Sequence, residues 1–185
     1  MVGYFILGEI MAATAQWYED NGAATGTPAK GTTRTATSNV NWKNIDDTTT
    51  AYTAPSAVIA AGQNSFVKYQ FVKFTGTFNT ISAGLFAHTA GSSGTGVTLK
   101  RLITSTYTTP STTALSGSTD ITATTPIASG VSVNFSTVGP EGSSPTATLT
   151  AAGYTQYIAT QLQTTVAAAA GDIGTQTLTF QWNES

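Results

Sequence analysis

The sequence predicts an all-β fold, an antiparallel β-sandwich of jelly-roll-like type with an extended N-terminal arm. Three observations carry this expectation. Apolar and polar residues alternate over short runs, as in Val131, Val133 and Phe135, or Leu178, Phe180 and Trp182. Loops rich in Gly, Pro, Ser and Thr separate such runs along the whole chain. One stretch, Asn64 to Ser82, concentrates Phe66, Tyr69, Phe71, Phe74 and Phe78. A strand this aromatic requires a second layer to cover it.

In chain order, the opening run Tyr4, Phe5, Ile6 and Leu7 is apolar but has no basic flank and is followed by Glu9. It reads as a poor signal peptide, and Met11 is an alternative start to Met1. Trp17 and Tyr18 follow. The segment from Gly22 to Asn39 is nearly devoid of large apolar side chains and is expected to be flexible by itself. Residues 1–38 are therefore read as an arm, with Tyr4, Phe5, Ile6, Leu7, Trp17 and Tyr18 as anchors that dock into a neighbour. Residues 39–185 are read as the sandwich domain.

Within it, Val40 and Trp42 open the globular part, and Asp46 to Pro55 is turn-like. In the aromatic stretch the alternation slips phase between Phe71 and Val72, which predicts one long strand with a bulge there or two strands meeting at a bend. Gly76 predicts a bend or a close backbone approach. His88 to Gly96 reads as a loop. Val97 to Ile103 reads as a strand with Lys100 and Arg101 pointing outward, and Thr119 to Thr125 as a weak edge strand. Val131 to Phe135 is a strand. The last third reads as a hairpin, with one strand across Tyr154 to Ala168 and another from Thr177 to Trp182. Tyr154, Ile158 and Leu162 also fit a helical spacing, but the Thr content favours a strand.

Composition narrows the function. The 185 residues suit one domain that folds without staples. There is no Cys, which removes thiol chemistry and thiolate zinc sites. Charged residues are 9% and the net charge is −2, so no basic surface awaits nucleic acid. No stretch has the length of a membrane span. So weakly charged a surface suits a protein packed against neighbours.

Catalytic and ligand-binding patterns are equally sparse. The single histidine, His88, has Ser92 and Ser93 nearby in sequence but no G-x-S-x-G elbow, and a packing role is expected. Asp46, Asp47 and Asp172 are the loop carboxylates available to a hard cation, which takes about six to eight oxygens. Turn formation is their expected role, and no metal or cofactor is expected. The scattered acids Glu19, Asp20, Asp120, Glu141 and Glu184 form no glycosidase pair by spacing. Trp42 and Trp182 are expected in the core.

Three stretches together carry a resemblance: NVNWKNIDD at Asn39–Asp47, KYQFVKFTGTFNTIS at Lys68–Ser82, and GYTQYIATQLQTTVAAAAGDIG at Gly153–Gly174 with the final strand. They resemble small β-sandwich virion structural proteins of tailed bacteriophages. The resemblance implies a non-enzymatic role as a capsid decoration (cement) protein, partnered by the major capsid protein or other virion proteins and by copies of itself, at the capsid surface of the virion. Two alternatives stand beside it: a neck, tail or baseplate component, and a carbohydrate- or receptor-binding sandwich module.

Overall fold

The computed structural model describes residues 12–169 and 174–185. Its first strands are β1 (Thr14–Thr25), β2 (Lys30–Ala36), β3 (Lys68–Thr75) and β4 (Ile81–Ala90). Next come β5 (Val97–Thr104), β6 (Thr119–Asp120), β7 (Val131–Ser132) and β8 (Phe135–Ser136). The chain ends with β9 (Thr148–Leu149), β10 (Gly153–Thr155), β11 (Tyr157–Thr164) and β12 (Thr177–Glu184). The larger sheet has the order β2-β1-β3-β11-β5-β6, with β10 and β8 joined to it beside β3. The smaller sheet has the order β12-β4-β7, with β9 also on β4. All described pairs are antiparallel, and the two sheets pack as an all-β sandwich.

The arm expected over residues 1–38 is corrected by these pairings. From Thr14 to Ala36 the chain forms a hairpin, and β1 lies between β2 and β3. Its register with β3 is unbroken from Thr14 opposite Thr75 to Asp20 opposite Tyr69. The Gly- and Thr-rich segment orders because its backbone bonds are satisfied by a sheet, which no reading of side-chain hydrophobicity reveals. Residues 1–11 lie outside the described residues.

The phase slip near Phe71 and Val72 has a different cause from the one expected. Strand β3 is regular and buried on both faces, so it needs no alternation. Tyr69 and Phe71 join one cluster, with Tyr107, Tyr157 and Ala159, on the outer face of the larger sheet. Val72 and Phe74 join another, with Ile81, Phe135 and Leu149, between the sheets. The bulge exists, but on the neighbouring chain segment. Tyr154 pairs with Lys73 and Ile158 with Gln70, so three residues oppose two. There, Val72 N donates to Thr155 Oγ1 at 3.0 Å, and Gln156 N turns away to Asn134 O at 2.8 Å.

Gly76 behaves as expected. Its φ is +94°, and a Cβ there would stand 2.8 Å from Ala12 O.

Two other strand expectations are corrected. Val131 to Phe135 is split: β7 pairs with β4 in the smaller sheet, and β8 pairs with β10 in the larger. The segment crosses between sheets, and alternation persists because Val133 and Phe135 are both buried. The expected C-terminal hairpin is likewise divided. Strand β11 lies between β3 and β5, whereas β12 pairs with β4 in the other sheet. Strand rather than helix is correct for both. Finally, β4 runs on to Ala90, so His88 belongs to a strand, not a loop.

Candidate functional site

The ionisable side chains gather at two places on the larger sheet. The first is on its outer face. Asp20 on β1 is fully buried, and Arg34 on β2 stands opposite it in register. The guanidinium donates twice to this carboxylate, Nε to Oδ1 and Nη2 to Oδ2, both at 2.8 Å. Tyr157 OH donates to Asp20 Oδ2 at 2.5 Å, and Arg34 Nη2 reaches Glu141 Oε2 at 3.1 Å. The Arg34 guanidinium also lies over the Phe71 ring, 4.7 Å from its centroid. Burial opposes the Arg34 charge, but the Asp20 hydrogen bonds and the nearby carboxylates outweigh it and raise its pKa. Burial and the Asp20 carboxylate together push the Tyr157 phenol well up, which keeps it a neutral donor. This latch ties four segments distant in sequence: β1, β2, the loop holding Glu141, and β11.

The second cluster is on the inner face of the same sheet, where residues 39–50 cover it. Lys68 is fully buried; its Nζ lies 3.2 Å from Glu19 Oε1 and 3.1 Å from the Asp47 carbonyl. Asn21 donates to both Glu19 and Asp46. Asp46 also accepts from Gly22 N at 2.7 Å. Lys43, fully buried, meets Asp47 Oδ1 at 2.5 Å and the Thr50 carbonyl at 2.6 Å. Asp47 further accepts from Thr49 N, Thr50 N and Thr50 Oγ1. Burial works against the Asp47 charge, yet the Lys43 and Thr50 hydrogen bonds hold its carboxyl well below the usual carboxylate range. Asp46 and Asp47 therefore shape a turn, with a protein cation between the Asp47 carboxylate and the core. No group of three or more metal-type ligands occurs among the described residues. Asp172 lies outside them.

Beside this cluster is a cleft of about 1060 Å³. Trp17, Trp42 and Tyr52 line it, together with Asn39, Asn41 and the Ala57–Ala61 segment. Trp42 is part-buried against the inter-sheet core, and its Nε1 donates to Thr160 Oγ1 at 3.0 Å.

The residues singled out as arm anchors separate into two groups. Tyr4, Phe5, Ile6 and Leu7 lie outside the described residues. Trp17 packs edge-on against Phe180, centroids 6.2 Å apart, and Tyr18 stacks on Phe71 at 5.6 Å. Both contacts are within the chain, so these two residues are part of the sandwich and are withdrawn as free anchors. Trp182 stands 5.3 Å from Phe74 and packs, part-buried, against the core between the sheets. His88 is a packing residue in β4, with Nδ1 2.9 Å from the Ile121 carbonyl. Arg101, expected to point outward, shares the parity of Leu99 and Ile103 and turns toward the inter-sheet space.

Sequence reasoning missed Asp20, Arg34, Glu141 and Tyr157 as a unit, because they are separated by up to 137 residues. One signal was present. In a chain with so few charges, the acids and bases inside predicted strands, such as Lys68, have to be partnered.

Fold and clusters together define a two-sheet antiparallel sandwich whose deep charges cross-link its own segments. No family model matches the chain, and the searches of curated proteins and of solved structures return no match either.

Proposed function

We propose that this protein is a non-enzymatic structural subunit of a tailed-phage virion, a capsid decoration protein that stabilises the shell. The observation that supports this reading best is the closed network of Asp20, Arg34, Tyr157 and Glu141. Its side chains would be catalytic candidates in a cleft; here they bond one another and fasten the N-terminal hairpin to the sheet. A protein of a particle gains from rigidity of this kind, and the low surface charge suits close packing against neighbours. In this reading Tyr4, Phe5, Ile6 and Leu7 dock on the major capsid protein or on a further copy of this chain. A neck or tail position would use the same features.

The direct test is to locate the protein in its parent particle by symmetry-resolved imaging, with co-sedimentation on shells that lack it. Regular density on the shell is the expected outcome. Density confined to the neck or tail would move the protein there, and absence from the particle would end the reading. The cleft beside Trp17, Trp42 and Tyr52 favours a second reading, a receptor- or carbohydrate-binding module. Saturable glycan binding that is lost in Trp42→Ala would support it.

A further inference from the structure

Four of the seven basic side chains, Arg34, Lys43, Lys68 and Lys100, have a carboxylate partner. Lys73 lies over the Tyr154 ring, and Lys30 is in solvent. Arg101 differs from all of these. Its side chain enters the inter-sheet space from β5, is only partly exposed, and has no ion pair or hydrogen bond among the described residues. Burial alone pushes its pKa down. A partly buried guanidinium without an anion beside it loses hydration that nothing in the chain replaces, and an anion from outside would replace it.

His88 reaches the same space from the opposite sheet. Both residues border a cavity of about 280 Å³, walled also by Ile121, Thr125, Ser129 and Gly130. His88 is 1% exposed. Its Nδ1 faces the Ile121 carbonyl at 2.9 Å, and a carbonyl only accepts, so Nδ1 carries the proton. Nε2 of the neutral ring is then an acceptor. It is buried and has no partner among the described residues. The site thus offers donors on Arg101 and an unmatched acceptor on His88.

Asp120 also borders the cavity, and it is the carboxylate that would oppose an anion there. It stands opposite Lys100 in register, on the other face of β5 from Arg101. One of its oxygens accepts from Thr122 N at 2.8 Å, and the other lies 4.0 Å from Lys100 Nζ. Its charge is therefore directed to the lysine side.

We propose that this cavity binds a small oxyanion that carries its own hydroxyl, of the class of hydrogen phosphate. The charged oxygens accept from the Arg101 fork, and the hydroxyl donates to His88 Nε2. Sulfate has the same shape and charge but no proton to give at neutral pH, so it satisfies Arg101 and leaves Nε2 unmatched.

Because the chain has a single histidine, its imidazole nitrogen resonances are unambiguous. The full-length protein is titrated at pH 7 and constant ionic strength with inorganic phosphate and, separately, with sulfate. A saturable shift of the His88 Nε2 resonance with phosphate is expected, with sulfate binding at least about tenfold more weakly. Arg101→Gln should abolish saturation, while Lys30→Gln should leave the affinity within about twofold, since Lys30 is in solvent on β2, at the far edge of the sheet. An Nε2 resonance indifferent to phosphate overturns the proposal, and so does equal binding of the two anions. The phosphate–sulfate comparison on the unsubstituted protein decides the matter even if Arg101→Gln fails to fold.

Discussion

The two faces of the larger sheet are covered in different ways. Where the inner face meets the second sheet its contacts are aromatic and aliphatic: Phe74 packs against Phe135, Phe180 and Trp182, with ring centroids 5.3 to 6.4 Å apart, and only under residues 39–50 does it carry the buried Lys68–Glu19 and Lys43–Asp47 pairs. Among the described residues no second sheet covers the outer face. Tyr69, Phe71 and Tyr157 are covered by Tyr18, Tyr107 and Leu115, and by the charged latch around Asp20. Tyr107 comes from the irregular loop after β5, and its hydroxyl donates to the Gly22 carbonyl at 2.7 Å. The part of the inner face under the second sheet is held by area removed from water, which is not directional. The outer face depends on hydrogen bonds to buried charged groups, which tolerate little. A polar latch can thus replace a missing layer where loops, rather than strands, supply the cover.

Predictions that break or sharpen this contrast fall in order of size. Removing residues 1–38 takes away β1 and β2, strips one edge from β3 and deletes Asp20 and Arg34 together. The truncated chain should lose its cooperative thermal transition; a folded, two-state product would mean that the hairpin is an accessory after all.

Within the intact chain, Phe135→Ala empties a fully buried site between the sheets and should cost about 3–5 kcal/mol in chemical denaturation. A loss below about 0.5 kcal/mol would place the core elsewhere.

On the outer face, Asp20→Asn keeps the shape but removes the charge that holds Arg34 and Tyr157, and should cost about 2–3 kcal/mol. Were it neutral, the outer face would be held by its aromatic rings alone.

Tyr157→Phe should cost about 1–2 kcal/mol near neutrality. The Tyr157 pKa is raised in the folded state, so its contribution is fully present below the unfolded value of about 10 and is lost as pH rises above it. The unsubstituted protein should therefore weaken above about pH 10, and Tyr157→Phe should flatten that decline. An identical alkaline limb in both chains would remove Tyr157 as its source.

The smallest effect concerns the inner polar cluster. The Asp47 pKa is depressed on folding, so its contribution is present above about pH 4 and disappears as pH falls below that value. Asp47→Asn should be less stable at neutral pH and less sensitive to acid between about pH 5 and 2; equal acid sensitivity of the two chains would assign the acid limb to other carboxylates.

How much of this was legible in the sequence follows the same division. The core between the sheets was readable, because Leu178, Phe180 and Trp182, and Val133 and Phe135, alternate with polar residues. Strand β3 was readable as the centre but not as two-faced, since burial on both sides erases the periodic signal. The hairpin of β1 and β2 was not readable: Thr, Ala and Gly look alike in a loose segment and in a strand whose order comes from backbone pairing. The latch was not readable either, because only the fold brings Asp20 to Tyr157. Arg101 was misjudged because a cation in mid-strand is ordinarily placed in solvent.

The order of strands around β3 has a consequence for how the protein is made. Its two main neighbours are β1, from the beginning of the chain, and β11, about 90 residues further on. Only the β1–β2 and β3–β1 pairings are available while the chain is half synthesised. Until β11 emerges, the most aromatic strand of the molecule has one open edge and much of its surface exposed. In the smaller sheet, β4 likewise gains its long partner only once β12 has emerged. Closing such long loops before their contacts are gained slows folding to the millisecond-to-second range typical of sandwiches. Until then Lys68 and Lys73 are the charges within that exposed strand, of the kind that discourage pairing between copies.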